Sequence, residues 1–296
     1  MEKAHLFGNM KPDIPPPQTR DPSRPRSDAV IPPHLQKLSL PHLKNIIAVG
    51  SGKGGVGKST VAANIAAALA QTGLSVGLLD ADIYGPSQSR MMGLTGQRAH
   101  AVDKKLQPLS AHGMKIISMG MLAGESAPMI WRGPMIQTAF TQMLQDVEWG
   151  ETDVIMIDLP PGTGDVQLSM TQKLDLAGAI IVSTPQDIAL IDAKKAAAMF
   201  AKMNAPILGL IENMSFYCCP NCNHRDEIFS SGGAREFAKA SGIPFLGALP
   251  LERQIADSSE RGAPIVIGQP DSAAAQVFQE IAAGIAGGIR TARGAA

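Results

Sequence analysis

The chain has 296 residues, with 26 Lys and Arg against 26 Asp and Glu, so its formal net charge is zero. That balance excludes a broad nonspecific nucleic-acid binder, which carries a basic excess, and an aromatic content of 4% argues against base stacking as an activity. Hydrophobic residues make up 45%, enough for a sizeable core. No apolar run approaches the roughly 18 residues of a membrane span, and the N-terminus lacks the apolar segment of a secretory signal, so no membrane association is expected. Three cysteines cannot build a disulfide framework, which predicts a reducing, cytoplasmic compartment.

In chain order, residues 1–44 stand apart. They hold nine of the 22 prolines, including Pro15, Pro16 and Pro17, and read as an extended or disordered linker. A single folded domain is expected over 45–296. Apolar runs predict strands at Asn45–Val49, Ser75–Leu79, Asp153–Ile157, Gly178–Thr184, Pro206–Glu212 and Phe245–Pro250. Helical patterns lie at Lys58–Gln71, Met135–Asp146, Leu190–Met203 and Gly233–Ser241. Strands apolar throughout, alternating with helices, predict an α/β fold: a mainly parallel, doubly wound sheet with helices on both faces. Ligands in such sheets sit at the carboxyl ends of the strands.

The first of those ends carries Gly50–Thr60, GSGKGGVGKST. Gly52, Gly57, Lys58 and Ser59 satisfy G-x-x-x-x-G-K-[ST], the phosphate loop. Gly52, Gly54, Gly55 and Gly57 let the backbone of Lys53, Val56 and Thr60 wrap phosphate oxygens. Lys58 is placed to neutralise the β- and γ-phosphates, and Ser59 to ligate Mg²⁺. A nucleoside triphosphate is therefore expected, over a dinucleotide or a merely structural glycine turn. The extra Lys53 gives K-G-G-V-G-K-S, which resembles the deviant Walker A signature of the MinD/ParA ATPases and the P-loop fold they share. The resemblance implies ATP as the nucleotide and a dimer in which Lys53 reaches the partner's nucleotide.

Carboxylates follow the next strands. Asp80 and Asp82 lie in LLDADIYGPS, where a carboxylate can orient the attacking water or a Mg²⁺-bound water. By resemblance Asp82 is the switch I aspartate, while Asp80 ends its strand and supports the metal shell. Asp158 follows VIMI and precedes LPPGTGD, which reads as a Walker B aspartate holding Mg²⁺ through water. By position in the sheet, Asn213 suits the adenine edge, since its amide both donates and accepts, and Pro250 could pack on the base.

Cys219-Pro220-Asn221-Cys222 is a C-x-x-C preceded by Cys218. Two thiolates at this spacing grip one soft metal or one cluster edge but do not complete a four-thiolate site. A Cys₃His zinc site with Cys218 and His224, a redox pair and an inert pair are alternatives; two chains meeting would complete the count.

SGKGGVGKST, DADIYGPS, MIWRGPM, DLPPGTGD, STPQDIALIDAKKA and IENMSFYCCPNC together resemble the Mrp-type (ApbC-like) iron–sulfur cluster carrier ATPases over roughly Lys44–Leu251. Many members of that family begin with a small α/β domain; here the Pro-rich segment precedes the ATPase. The resemblance implies an ATP-hydrolysing homodimer that binds a [4Fe–4S] cluster between subunits, through Cys219 and Cys222, and exchanges it with scaffold proteins and apo iron–sulfur proteins. Two other readings are a positioning ATPase cycling on membrane or DNA and a zinc-stabilised nucleotide-binding scaffold.

Overall fold

The computed structural model describes residues 37–123, 133–222 and 224–294. The Pro-rich segment up to position 36 and most of the Met129–Met135 motif lie outside those residues.

The elements run β1 (Ile46–Gly50), α1 (Lys58–Gln71), β2 (Val76–Asp80), α2 (Gln88–Met91), β3 (Ala101–Val102), β4 (Lys105–Leu106), β5 (Leu109–Ala111), β6 (Met114–Ser118), α3 (Met119–Ala123) and α4 (Gly133–Gln145). Then follow β7 (Val154–Asp158), α5 (Asp165–Thr171), β8 (Gly178–Ser183), α6 (Asp187–Lys202), β9 (Ile207–Cys218), β10 (Arg225–Asp226), α7 (Gly233–Ser241), β11 (Phe245–Pro250), α8 (Arg253–Glu260), α9 (Ile265–Gly268) and α10 (Ala273–Gly294). The main sheet has the order β10-β9-β8-β1-β7-β2-β6-β5, with β11 also pairing β9. Its central strands β6, β2, β7, β1, β8 and β9 are parallel, and antiparallel β5 and β10 sit at the margins. The doubly wound parallel sheet is thus present.

Side-chain alternation divides the interior into two cores. Ile47, Val49, Val154, Met156, Ile180 and Val182 face the layer of α1 and α10. Ile46, Ala48, Ile155, Ile157, Ala179 and Ile181 face the layer of α4, α6 and α7. Period-two strands with both faces covered become apolar throughout. α1 carries buried Ala62, Ala63, Ala66 and Ala67, and α10 meets the same core with Ala274, Ala275, Ala282 and Ala286. Small side chains bring two helix axes close. The Ala- and Gly-rich C-terminal stretch is therefore a core helix of the domain. Among the described residues no helix is long and apolar enough to cross a membrane.

Most boundaries shift by one to three residues from the sequence expectation, and two shift further. The domain begins before position 45: Leu40 and Leu43 are buried, Leu38 N–H donates to the Lys173 carbonyl at 2.8 Å, and Lys44 N–H to that of Thr152 at 3.0 Å. The strand expected to end at Glu212 continues to Cys218, because buried partners capture the polar side chains of Glu212 and Asn213.

Trp149 is fully buried, and its indole N–H donates to the Met143 carbonyl at 2.9 Å. Its ring lies where a Cβ on Gly77 would come within 2.9 Å. Gly77→Ala should therefore overpack this contact and cost about 1–3 kcal/mol. Urea unfolding should show a lower midpoint at constant slope; an unchanged midpoint would mean that the ring yields without cost.

Candidate functional site

The loop between β1 and α1 closes on itself because two of its glycines adopt left-handed backbone. Gly55 has φ +77° and Gly57 φ +82°, conformations that glycine enters without a Cβ penalty. Close neighbours fix the loop's seat. A Cβ on Gly52 would fall 2.1 Å from the Asp192 backbone of α6, and one on Gly57 2.1 Å from the Asn213 amide nitrogen. Val56 is buried beneath the loop. The unpaired N–H groups of the first turn of α1 open on the same place.

A cleft of about 400 Å³ opens there, lined by Ser51, Lys53, Gly54, Gly55, Gly57, Lys58, Ser59, Thr60 and Asp82. Pro161 forms part of its wall, and Arg90, Met91, Ala256, Ser259 and Glu260 close the remainder. The α8 residues went unrecognised in the sequence. The signal for them was their place directly after the last strand, where the carboxyl-end rule puts ligand contacts.

Behind the cleft, Lys58 forms a buried ion pair with Asp158, and its ammonium lies 3.3 Å from the Ser59 hydroxyl. The second Asp158 oxygen accepts from Gln88 Nε2 at 2.9 Å. Asp80 sits beside Asp158 in the β2–β7 register. Its carboxylate accepts from the backbone N–H groups of Asp82 at 3.2 Å, Ser87 at 3.0 Å and Gln88 at 3.0 Å, and from the Ser118 hydroxyl at 3.0 Å. The Asp80 side chain thus folds the loop that carries Asp82. Burial, then the neighbouring Asp158 charge, pushes the Asp80 carboxyl up from 3.8 to about 7. Asp82 is raised too, by burial against the opposing pull of Lys58. After β7, the Gly162 N–H donates to the Ser51 carbonyl at 3.0 Å, tying the Pro-Pro-Gly turn to the phosphate loop. Asp165 opens α5.

Asn213 does not line the cleft. It lies under the loop, buried, and donates its amide N–H to the Val56 carbonyl at 2.9 Å. There it braces the phosphate loop from below. Pro250 pairs with Phe216 at the end of β11 and is likewise outside the cleft. The neighbouring Glu212 accepts from the Ser215 hydroxyl at 2.6 Å and from the N–H groups of Gly232 at 3.0 Å and Ala234 at 2.8 Å, which fastens β9 to the start of α7.

β9 then delivers the cysteines. Cys218 pairs with Arg225 of β10, and the Cys219 N–H donates to the His224 carbonyl at 2.9 Å, so Cys219–Cys222 forms the turn of a hairpin. The N–H groups of Asn221 and Cys222, then the Cys222 thiol, hold the Cys219 thiol below its usual range. Cys219 and Cys222 therefore come together, away from the cleft. Among the described residues no group of three or more His, Cys, Asp and Glu side chains converges as for a metal ion, so Cys218 and His224 do not complete a Cys₃His set here.

The raised Asp80 group has a consequence for stability. Between about pH 4 and 7 the folded chain keeps a proton on Asp80 that the unfolded chain has released, so this group's contribution to stability falls as pH rises through that window. Asp80→Asn should flatten the slope of melting temperature against pH across it. An unaltered slope would mean that Asp80 ionises as readily folded as unfolded.

The family model for ParA, described as NUBPL iron-transfer P-loop NTPase, matches residues 42–286. An iron–sulfur cluster carrier protein of Aquifex aeolicus is 51% identical over 84% of this chain and 69% of its own length. Another, of Pseudomonas fragi, is 47% identical over 86% of this chain and 91% of its own length. Among solved structures, a nucleotide-binding protein of Archaeoglobus fulgidus in complex with ADP is 38% identical, with a TM-score of 0.68 over 75% of this chain and 88% of that one. The MinD cell division ATPase of Pyrococcus furiosus, 23% identical with a TM-score of 0.62 over 82% of this chain and 98% of its own, shares the fold. On that evidence of sequence and architecture, the chain belongs to the ParA family of NUBPL iron-transfer P-loop NTPases.

Proposed function

We propose that the protein is an ATP-binding and ATP-hydrolysing iron–sulfur cluster carrier, which holds a [4Fe–4S] cluster between two copies and passes it to apo-proteins. One observation carries the reading. A single strand, β9, braces the phosphate loop through Asn213 and ends in the cysteine hairpin. A change in the loop therefore has a short route to the thiols, through that hydrogen bond and then along the β9 backbone. The relatives named as cluster carriers and the ADP-bound relative support the same assignment.

The chain's own residues supply the ATPase chemistry. Lys58 exchanges its buried carboxylate partner for the phosphates, an exchange of one anionic partner for another. The loop N–H groups and the start of α1 cradle the phosphate oxygens. Ser59 and Asp158 present hydroxyl and carboxylate oxygens, a donor set that fits hard Mg²⁺. Bound there, Mg²⁺ would neutralise charge developing between the β- and γ-phosphates. Asp82, at the cleft wall, orients the attacking water. Lys53 is a half-buried lining residue of the cleft, and the resemblance gives it the role of reaching a second copy's nucleotide.

The cluster is the cargo. One chain brings two thiols together, and a two-fold axis through the hairpins makes four. Tyr84, Ile188, Ile191 and Phe229 are exposed apolar side chains in segments that follow the carboxyl ends of strands, which suits closure of one copy on another. Reduced thiols also suit a cytoplasmic setting. The Pro-rich segment before residue 37 is read as a linker.

Lys58→Ala should abolish ATP turnover, and Lys53→Ala should suppress hydrolysis more than nucleotide binding. Turnover at the wild-type rate in Lys58→Ala would end the ATPase reading.

Anaerobic reconstitution with iron and sulfide tests the cargo. The wild type should become a coloured dimer with about two irons per chain, and Cys219→Ala and Cys222→Ala should each lose the colour while Cys218→Ala keeps it. A coloured, iron-loaded monomer would break the bridging model. A colourless zinc-loaded protein would favour the scaffold reading.

A further inference from the structure

Gln88 places a buried amide against Asp158, and neither the loop motif nor the cysteine motif includes it. It is fully buried at the start of α2. Its Nε2 donates twice, to the Ser59 carbonyl at 3.0 Å and to Asp158 Oδ2 at 2.9 Å. Only this amide orientation works, since the reverse would set Oε1 against two acceptors. Its backbone is held as well, by the Asp80 carboxylate at 3.0 Å. Oε1 is buried without a partner among the described residues. An apolar side chain of the same length would avoid that orphaned acceptor, so the amide is costly unless its donor half has a task.

The two Asp158 oxygens have different partners. One pairs with Lys58, and the other accepts from Gln88. When Lys58 turns to a phosphate, only the Gln88 bond still fixes the carboxylate. We propose that Gln88 is the positioning residue that holds Asp158 in its working orientation, and that it thereby sets how much a divalent cation strengthens nucleotide binding. The inference rests on the nucleotide reading above.

Affinity for a fluorescent ATP analogue, measured in magnesium and in EDTA, tests it together with the melting temperature of each protein. Wild type should gain affinity on adding magnesium. In Gln88→Met that gain should shrink about tenfold, the usual weight of a hydrogen bond to a charged group, while affinity in EDTA stays within about twofold. Gln88→Asn, one methylene shorter, keeps an amide in the pocket but cannot span both acceptors, and should show the same selective loss. An undiminished magnesium gain in both variants would overturn the proposal. So would an equal loss in both conditions with lowered melting temperature, the mark of a merely structural residue. A wild type that binds no nucleotide at all would overturn the functional reading beneath it.

Discussion

A buried ion pair organises the nucleotide end of this molecule. Lys58 and Asp158 are both withdrawn from solvent, and charges taken out of water are tolerated only when every remaining hydrogen-bonding position is met. The surrounding side chains supply partners: the Ser59 hydroxyl stands beside the ammonium, and Gln88 caps the second carboxylate oxygen. The loop after β2 can take its path because Asp80 gathers four donors into one carboxylate. That arrangement buries two acids side by side at neighbouring strand ends, and burial, then the Asp158 charge, raises the Asp80 carboxyl. An ion pair waiting under a phosphate loop is a switch element in the electrostatic sense. It is stable alone, and a competing anion can divide it.

The parallel sheet supplies the rest by geometry. Every central strand runs the same way, so each carboxyl end adds its polar residue to one rim: the glycine loop after β1, Asp80 at the end of β2, Asp158 at the end of β7, and the Pro-Pro-Gly turn beyond it. The cysteine hairpin extends from the same direction of travel along β9. The phosphate loop and the cysteine hairpin are linked because one strand, β9, runs on past its pairing with β8 to Cys218.

Much of this was legible in the residues. The helix Lys58–Gln71 and the strand Phe245–Pro250 have the bounds that their patterns implied, since small helix formers and a continuous apolar run leave little ambiguity. The loop residues other than Gly52 and Val56 line one cleft with Asp82, because a glycine-rich loop has few ways to fold around an anion. What was hidden depended on long-range partners. Nothing local says that Glu212 will be satisfied by N–H groups some twenty residues later, so the strand looked finished there. The amide of Asn213 was correctly marked as important for its position, but its partner, a loop carbonyl, is a tertiary fact. Gln88 follows no motif, and only the fold brings it to Asp158. β6 and its edge neighbour β5 were missed because Met114–Ser118 has Lys115 interrupting its apolar run and Leu109–Ala111 is only three residues long.

The close fit of α10 on α1 bears on how the nucleotide site comes into being. The helix that begins at Lys58 has an alanine-lined rear face, and its cover is the last helix of the domain. During synthesis, or in refolding from a random chain, the phosphate loop must wait for an element at the opposite end of the sequence before its own helix has a dry seat. Contacts of such sequence separation are entropically slow to form. Competence to bind nucleotide therefore reports completion of the whole domain, and a chain cut short of α10 would carry the loop motif intact yet lack the surface that holds it in shape.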